Sequence, residues 1–121
     1  MVQVLGIGGV FFRAKDPVAL AQWYQTHLGI NLVPTSAQTP PWVTEAGVTI
    51  FSPFDRDTDY FPPDRAFMLN FRVADLEAAL AELEGAGIAA SHHAQMDGVG
   101  HFARIHDPEG NPVELWQPAG A

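Results

Sequence analysis

Two stretches of the chain repeat one pattern of apolar and polar positions. Residues 11–30 read FFRAKDPVALAQWYQTHLGI, and residues 70–88 read NFRVADLEAALAELEGAGI. Each passes from strand-like residues to an Asp, then to an Ala/Leu-rich helical stretch, then to Gly-Ile; the first copy is one residue longer. Such an internal repeat shapes any fold assignment that follows. In the second copy Leu76, Ala79, Leu80 and Leu83 fall on one helical face, with Glu77, Glu82 and Glu84 on the other. In the first copy Leu20, Trp23, Tyr24 and Leu28 do the same. Asp16 and Asp75 suit the N-cap, where a carboxylate accepts from orphan backbone N–H groups. Pro17 suits the first helical position, and Gly29 and the Gly85/Gly87 pair suit helix exits.

Strand-like runs follow each helix. They span residues 31–34, 41–45 and 47–54 in the first half and 88–95, 101–106 and 112–117 in the second. Asp107-Pro108-Glu109-Gly110-Asn111 is a turn signal, because Pro presets φ and Gly or Asn tolerates positive φ. Residues 55–65, with Pro62-Pro63, link the halves, and Asp55, Asp57 and Asp59 around Arg56 read as a solvated loop. The expected fold class is α+β: two tandem βαβββ modules, 1–60 and 61–121 of one domain, forming a curved mixed sheet around a concavity with helices outside.

Period-two alternation assigns faces. Leu69, Phe71 and Val73 lie under a helix, as do Val10, Phe12 and Ala14, Ala103 and Ile105, and Val113 and Leu115. The opposite face then collects Met68, Asn70 and Arg72, Gly9, Phe11 and Arg13, Phe102, Arg104 and His106, and Glu114 and Trp116. A few convergent polar groups among aromatic walls suit a ligand pocket. Two readings of Glu114 stay open: a structural ion pair with an arginine, or a functional carboxylate.

Composition narrows the partners. The 121 residues carry 6 basic and 14 acidic side chains, a net charge of −8, and no cysteine. Disulfides, thiolate metal sites and cysteine nucleophiles are excluded. Lys15 is the only lysine, and no basic stripe suits nucleic acid or an anionic membrane surface. No apolar run is long enough to span a bilayer, and the first residues lack the basic start of a signal peptide, so a cytoplasmic location is expected. Ser36, Ser52 and Ser91 have no nucleophile-elbow context, and Gly6-Ile7-Gly8-Gly9 is no phosphate-binding loop.

The paired strand–Asp–helix–Gly-Ile segments, with Asp-Pro-Glu-Gly-Asn running into Val113-Glu114-Leu115, resemble the glyoxalase/bleomycin resistance/dioxygenase superfamily, the vicinal oxygen chelate proteins. The resemblance covers nearly the whole chain. It implies the paired βαβββ fold, commonly as a homodimer. Enzymes of the superfamily usually hold a divalent metal with two His and a Glu, or His/Gln and two Glu. The positions matching the usual histidines are Gly9 and Met68. Glu114 matches the last ligand, and Ile50, Phe51 and Ser52 stand where a first-half ligand would fall.

Three functions are therefore expected in order. The first is a protein with no cofactor that binds a small organic molecule, using Phe11, Trp42, Phe51, Phe102 and Trp116 as aromatic walls. Arg13, Arg72 or Arg104 would hold an anionic group, with Met68 and Asn70 beside them. The second is a lyase, isomerase or dioxygenase in which Glu114 holds a divalent metal with His106 and His92 or His93. In a metal-free version Glu114 or His106 acts as general base. His27, at a helix end, reads as structural, and His101 as a loop residue at the cavity mouth. The third is a structural dimerisation module.

Overall fold

The computed structural model describes residues 1–120. Helix α1 spans Pro17–Leu28. The Asp16 side chain accepts from the Ala19 N–H at 3.0 Å, and Gly29 ends the helix at φ 68°. Helix α2 spans Leu76–Gly85, with Asp75 accepting from the Ala78 N–H at 3.0 Å. Both caps and Pro17 thus act as their residue types dictate.

Four strands follow the second-half pattern: β1 Leu69–Arg72, β2 Ser91–Met96, β3 Gly100–His106 and β4 Pro112–Pro118. They form one open mixed sheet in the order β1-β4-β3-β2, with β1 parallel to β4 and the other pairs antiparallel. The connection from β1 to its parallel partner β4 runs through α2, β2 and β3, long enough for the crossover that parallel neighbours require. Leu20 and Tyr24 of α1 join Leu76 and Leu83 of α2 over Ala103, Ile105, Val113 and Leu115. Ile105 and Val113 have no exposed surface, and each such side chain contributes roughly 1.5–3 kcal/mol by leaving water.

The Asp-Pro-Glu-Gly-Asn turn proves to be a clamp between the halves. Asp107 Oδ1 accepts from the N–H groups of Glu109 and Asn111, at 2.9 and 3.0 Å. Its Oδ2 accepts from the Tyr24 hydroxyl at 2.7 Å and from Asn111 Nδ2 at 2.8 Å. The Glu109 carboxylate accepts from the backbone N–H of Lys15 at 2.7 Å and of Asp16 at 3.0 Å, just ahead of α1. Arg65, in the linker, donates to Asn111 Oδ1 and to the Glu109 carbonyl, each at 3.0 Å. One five-residue turn therefore seats a first-half helix on the second-half sheet.

The first half departs from expectation. The α+β class and the mixed sheet hold, but among the described residues no strand lies before Leu69. The runs at 9–14, 31–34, 41–45 and 47–54 are irregular, so a second four-stranded module closing a concavity is not formed by the single chain. The reason is pairing: strand propensity needs a neighbouring strand to supply ladder partners, and these runs meet none. Val2, Val4, Ile7, Phe11, Val43, Ile50 and Phe51 stay exposed as a result.

Candidate functional site

The strand register sorts the sheet into two faces. Leu69, Phe71, Ala103, Ile105, Val113 and Leu115 turn toward the helices. On the other face Asn70, Glu114 and Arg104 form one cross-strand row, and Arg72, Trp116 and Phe102 form the next. His106 continues that face at the end of β3. Cross-strand neighbours on one face touch, so both rows are contact sets. The Phe102 and Trp116 rings stack at 5.9 Å with planes 1° apart, and the Trp116 indole donates to the Val99 carbonyl at 2.9 Å.

The polar row is covered by Tyr60. Its hydroxyl donates to Glu114 Oε2 at 2.5 Å, while Asn70 Nδ2 donates to Oε1 at 2.7 Å. Arg104 Nη2 donates to the Tyr60 carbonyl, and the guanidinium carbon sits 5.4 Å from the Tyr60 ring centroid. Burial raises the Tyr60 hydroxyl to about 12, with the hydrogen bond to Glu114 and the Glu114 charge adding to the shift and Arg104 opposing it. Tyr60 is thus a donor at neutral pH. Phe54 packs against its ring at 5.5 Å and is itself backed by Phe61 at 5.8 Å.

Arg104 is 4% exposed and Glu114 is 8% exposed. They are register partners, yet they form no ion pair; among the described residues the only ion pair is Arg65–Asp64 at 4.0 Å. Arg104 Nε is buried with no hydrogen-bond partner. Arg72 lies at the edge of the face and donates to the Glu45 carbonyl at 2.8 Å. His106 has its imidazole held below 6.5, first by partial burial, then by the charges of Arg104 and His92.

The structure gathers Asn70, Arg72, Phe102, Arg104, His106, Glu114 and Trp116 on one face, with Met68 one residue ahead of β1. Four expected lining residues are elsewhere. Phe11 is 94% exposed and Phe51 is 87% exposed, and Arg13 is also in solvent. Trp42 meets Phe71, on the helix side of the sheet, at 6.1 Å. All four belong to runs with no strand partner, so alternation had no face to assign them to. Tyr60 was missed because it sits in a polar linker; the signal was an aromatic pair, Tyr60-Phe61, inside that linker.

Two grooves are lined by residues other than those of this face. One of about 660 Å³ runs along residues 52–58, and one of about 530 Å³ lies between α1 and the turn at Pro108 and Glu109. The first is lined by loop residues and the second mostly by α1, and neither lining includes a buried polar side chain.

The donor set does not suit a divalent ion. Both Glu114 oxygens already accept hydrogen bonds, and its row neighbours are an amide and a guanidinium. Among the described residues no three His, Asp or Glu side chains come together. His27 lies against Trp23 at 5.4 Å. His92 stands at φ 52° in the irregularity between Ser91 and Ala94, and its Nδ1 shares a 2.8 Å hydrogen bond with Ser91 Oγ. His93 and His101 are exposed. A metal needs several such donors at one point.

The glyoxalase-like domain family matches residues 9–116. No curated protein matches the chain. Several solved structures do. TnmS3, an antibiotic binding protein from Streptomyces sp. CB03234, is 23% identical over 87% of this chain and 88% of its own, with a TM-score of 0.59. A glyoxylase/bleomycin resistance protein/dioxygenase domain from Frankia sp. EAN1pec is 18% identical over 96% of this chain and 99% of its own, with a TM-score of 0.60. The bleomycin resistance determinant encoded on the transposon Tn5 is 17% identical over 88% and 92%, with a TM-score of 0.54. At these identities the solved structures speak for the fold, and the family match speaks for descent: the chain belongs to the glyoxalase-like family, within the glyoxalase/bleomycin resistance/dioxygenase superfamily.

Proposed function

We propose that this protein binds a small organic molecule on the Glu114 face, without a metal, and that it does so as a homodimer. The observation that carries the reading is the row Asn70–Glu114–Arg104, buried at its centre, beside the parallel Phe102–Trp116 stack. Polar groups fix a ligand's orientation there, and the aromatic pair supplies apolar contact area. TnmS3 is an antibiotic binding protein and the Tn5 protein a bleomycin resistance determinant, so antibiotics with aromatic groups are the first ligands to try. The dimer is supported by the first half: residues 1–12 hold no charged side chain and residues 41–54 only Glu45, so the surplus of negative charge does not oppose their meeting a second copy.

Thermal unfolding with and without bleomycin and a panel of aromatic antibiotics tests the binding. A ligand at a hundred times its Kd adds roughly 2.7 kcal/mol, a rise of several degrees for a domain of this size. Trp116→Ala is expected to abolish that rise. No stabilisation by any member at saturation overturns the reading. Stoichiometric metal in protein purified without chelators, lost in Glu114→Ala, overturns its metal-free part.

A further inference from the structure

Arg104 is a buried cation that makes no ion pair, although Glu114 is its neighbour across the ladder. Its residue is 4% exposed, no carboxylate among the described residues pairs with it, and Nε has no partner at all. A buried charge left in that state is costly, and folded proteins meet the cost with an opposite charge. The guanidinium offers two parallel N–H groups on its Nε/Nη2 edge, the arrangement that fits the two oxygens of a carboxylate. Only half of that edge is in use, because Nη2 donates to the Tyr60 carbonyl.

Tyr60 satisfies its neighbours in a particular order. Its carbonyl oxygen accepts from Arg104, its ring lies against the guanidinium, and its hydroxyl donates to Glu114. Read as a small molecule, that sequence is an acceptor, an aryl ring and a phenol. A phenolic carboxylic acid of the same length makes all three contacts and improves the first, since a carboxylate fills both donors of the Arg104 edge and puts a negative charge in direct contact with it.

We propose that the place held by Tyr60 is a binding site for hydroxyaryl carboxylic acids, with Arg104 taking the carboxylate, Glu114 accepting from the phenol, and Tyr60 the strap that yields to the ligand. This rests on the small-molecule reading above and specifies its ligand class. The strap has somewhere to go: it belongs to the segment between Phe54 and Phe61, where Tyr60 itself is 42% exposed.

The probe is 3-(4-hydroxyphenyl)propionate, which reproduces Tyr60 from carbonyl carbon to hydroxyl. Its neutral amide and 3-phenylpropionate are the comparisons, and calorimetric titration of the intact protein is the readout. The acid is expected to bind about tenfold or more tightly than the amide, and more tightly than 3-phenylpropionate. Tyr60→Ala removes the competing ring and hydroxyl, and is expected to strengthen acid binding several-fold. Arg104→Met is expected to abolish the preference for acid over amide. Its fold is checked by circular dichroism, and the acid–amide comparison on the unsubstituted protein stands without it. Equal binding of acid and amide, or weaker acid binding in Tyr60→Ala, overturns the inference. An uncharged antibiotic that binds while the acid does not overturns it too, yet leaves the small-molecule reading in place. If neither binds, both fall.

Discussion

Asp107 shows how much one side chain in a turn can hold. It is 4% exposed and accepts four hydrogen bonds, one of them from Tyr24 in the other half of the chain. Burial first, then the Asp107 contact, raises the Tyr24 hydroxyl far above its ordinary value, so Tyr24 is a permanent donor. Tyr24→Phe keeps the ring and removes that donor from a buried carboxylate. The expected loss is about 2 kcal/mol, read as a lower urea midpoint at unchanged m-value. His106 supplies a pH signature. Partial burial, then the neighbouring Arg104 and His92 charges, place its folded value below the unfolded 6.5, so the unfolded chain binds the proton first. Its contribution to stability is present above about pH 6.5 and is lost as pH falls from there toward its folded value. NMR titration should show the depressed midpoint, and His106→Gln should flatten the stability slope across that interval. At this scale the sequence showed which side chains share a face in the second half, because alternation there is enforced by paired strands. It did not show that Asp107 and Glu109 would bind α1, since a turn signal says nothing about what docks on the turn.

At the scale of elements, both helices and all four observed strands were legible to within a few residues. Caps, period and turn chemistry agree in the second half, and such agreement between levels is what makes a pattern readable. The first-half strands were equally patterned and are absent. A helix satisfies its own backbone, so α1 needs only a face to lie on; a strand depends on another strand. Where strands do pair, close backbone approach leaves its own mark. Gly100 opens β3 at φ 132°, and a Cβ there would lie 2.1 Å from the Gln117 carbonyl oxygen and 2.9 Å from the Ala119 nitrogen. Those are main-chain atoms of β4 and the residue just beyond it, so Gly100→Ala has to shift the ladder. The expected cost is roughly 1–3 kcal/mol, with faster amide exchange at the Gly100–Pro118 end. Gly47 is the contrast: a Cβ there meets the Arg72 guanidinium at 2.0 Å, and a flexible side chain can move away. Gly47→Ala should therefore cost much less, and comparing the two melting temperatures separates backbone crowding from side-chain crowding.

For the whole molecule, a single chain leaves an unusual amount of strand-forming, apolar sequence in water. Val2, Val4, Leu5, Ile7, Val10 and Phe11 are all exposed, and so are Val43, Val48, Ile50 and Phe51. Exposed apolar surface on that scale marks an interaction site. The homodimer proposed above would cover it with another copy of the chain. The sheet ends in β1 and β2, each paired on one side only, so two copies present open edges and unpaired strand-like runs to each other. Closed twofold pairing is also the commonest outcome of self-complementary surfaces. Light scattering should then give twice the 13.1 kDa chain mass. Hydrogen exchange should find the amides of residues 2–12 protected, although among the described residues they donate no backbone hydrogen bond within the single chain. Two charges placed in that run, as in Ile7→Asp/Phe11→Asp, should shift the mass to that of one chain and make those amides exchange at once. α1, held by Tyr24 and Glu109 to the second-half sheet, should keep its protection in that variant. A single-chain mass at high concentration, with rapid exchange over residues 2–12 in the unsubstituted protein, would instead mean that the first half stays unpaired and that the Glu114 face works with Tyr60 alone as its cover.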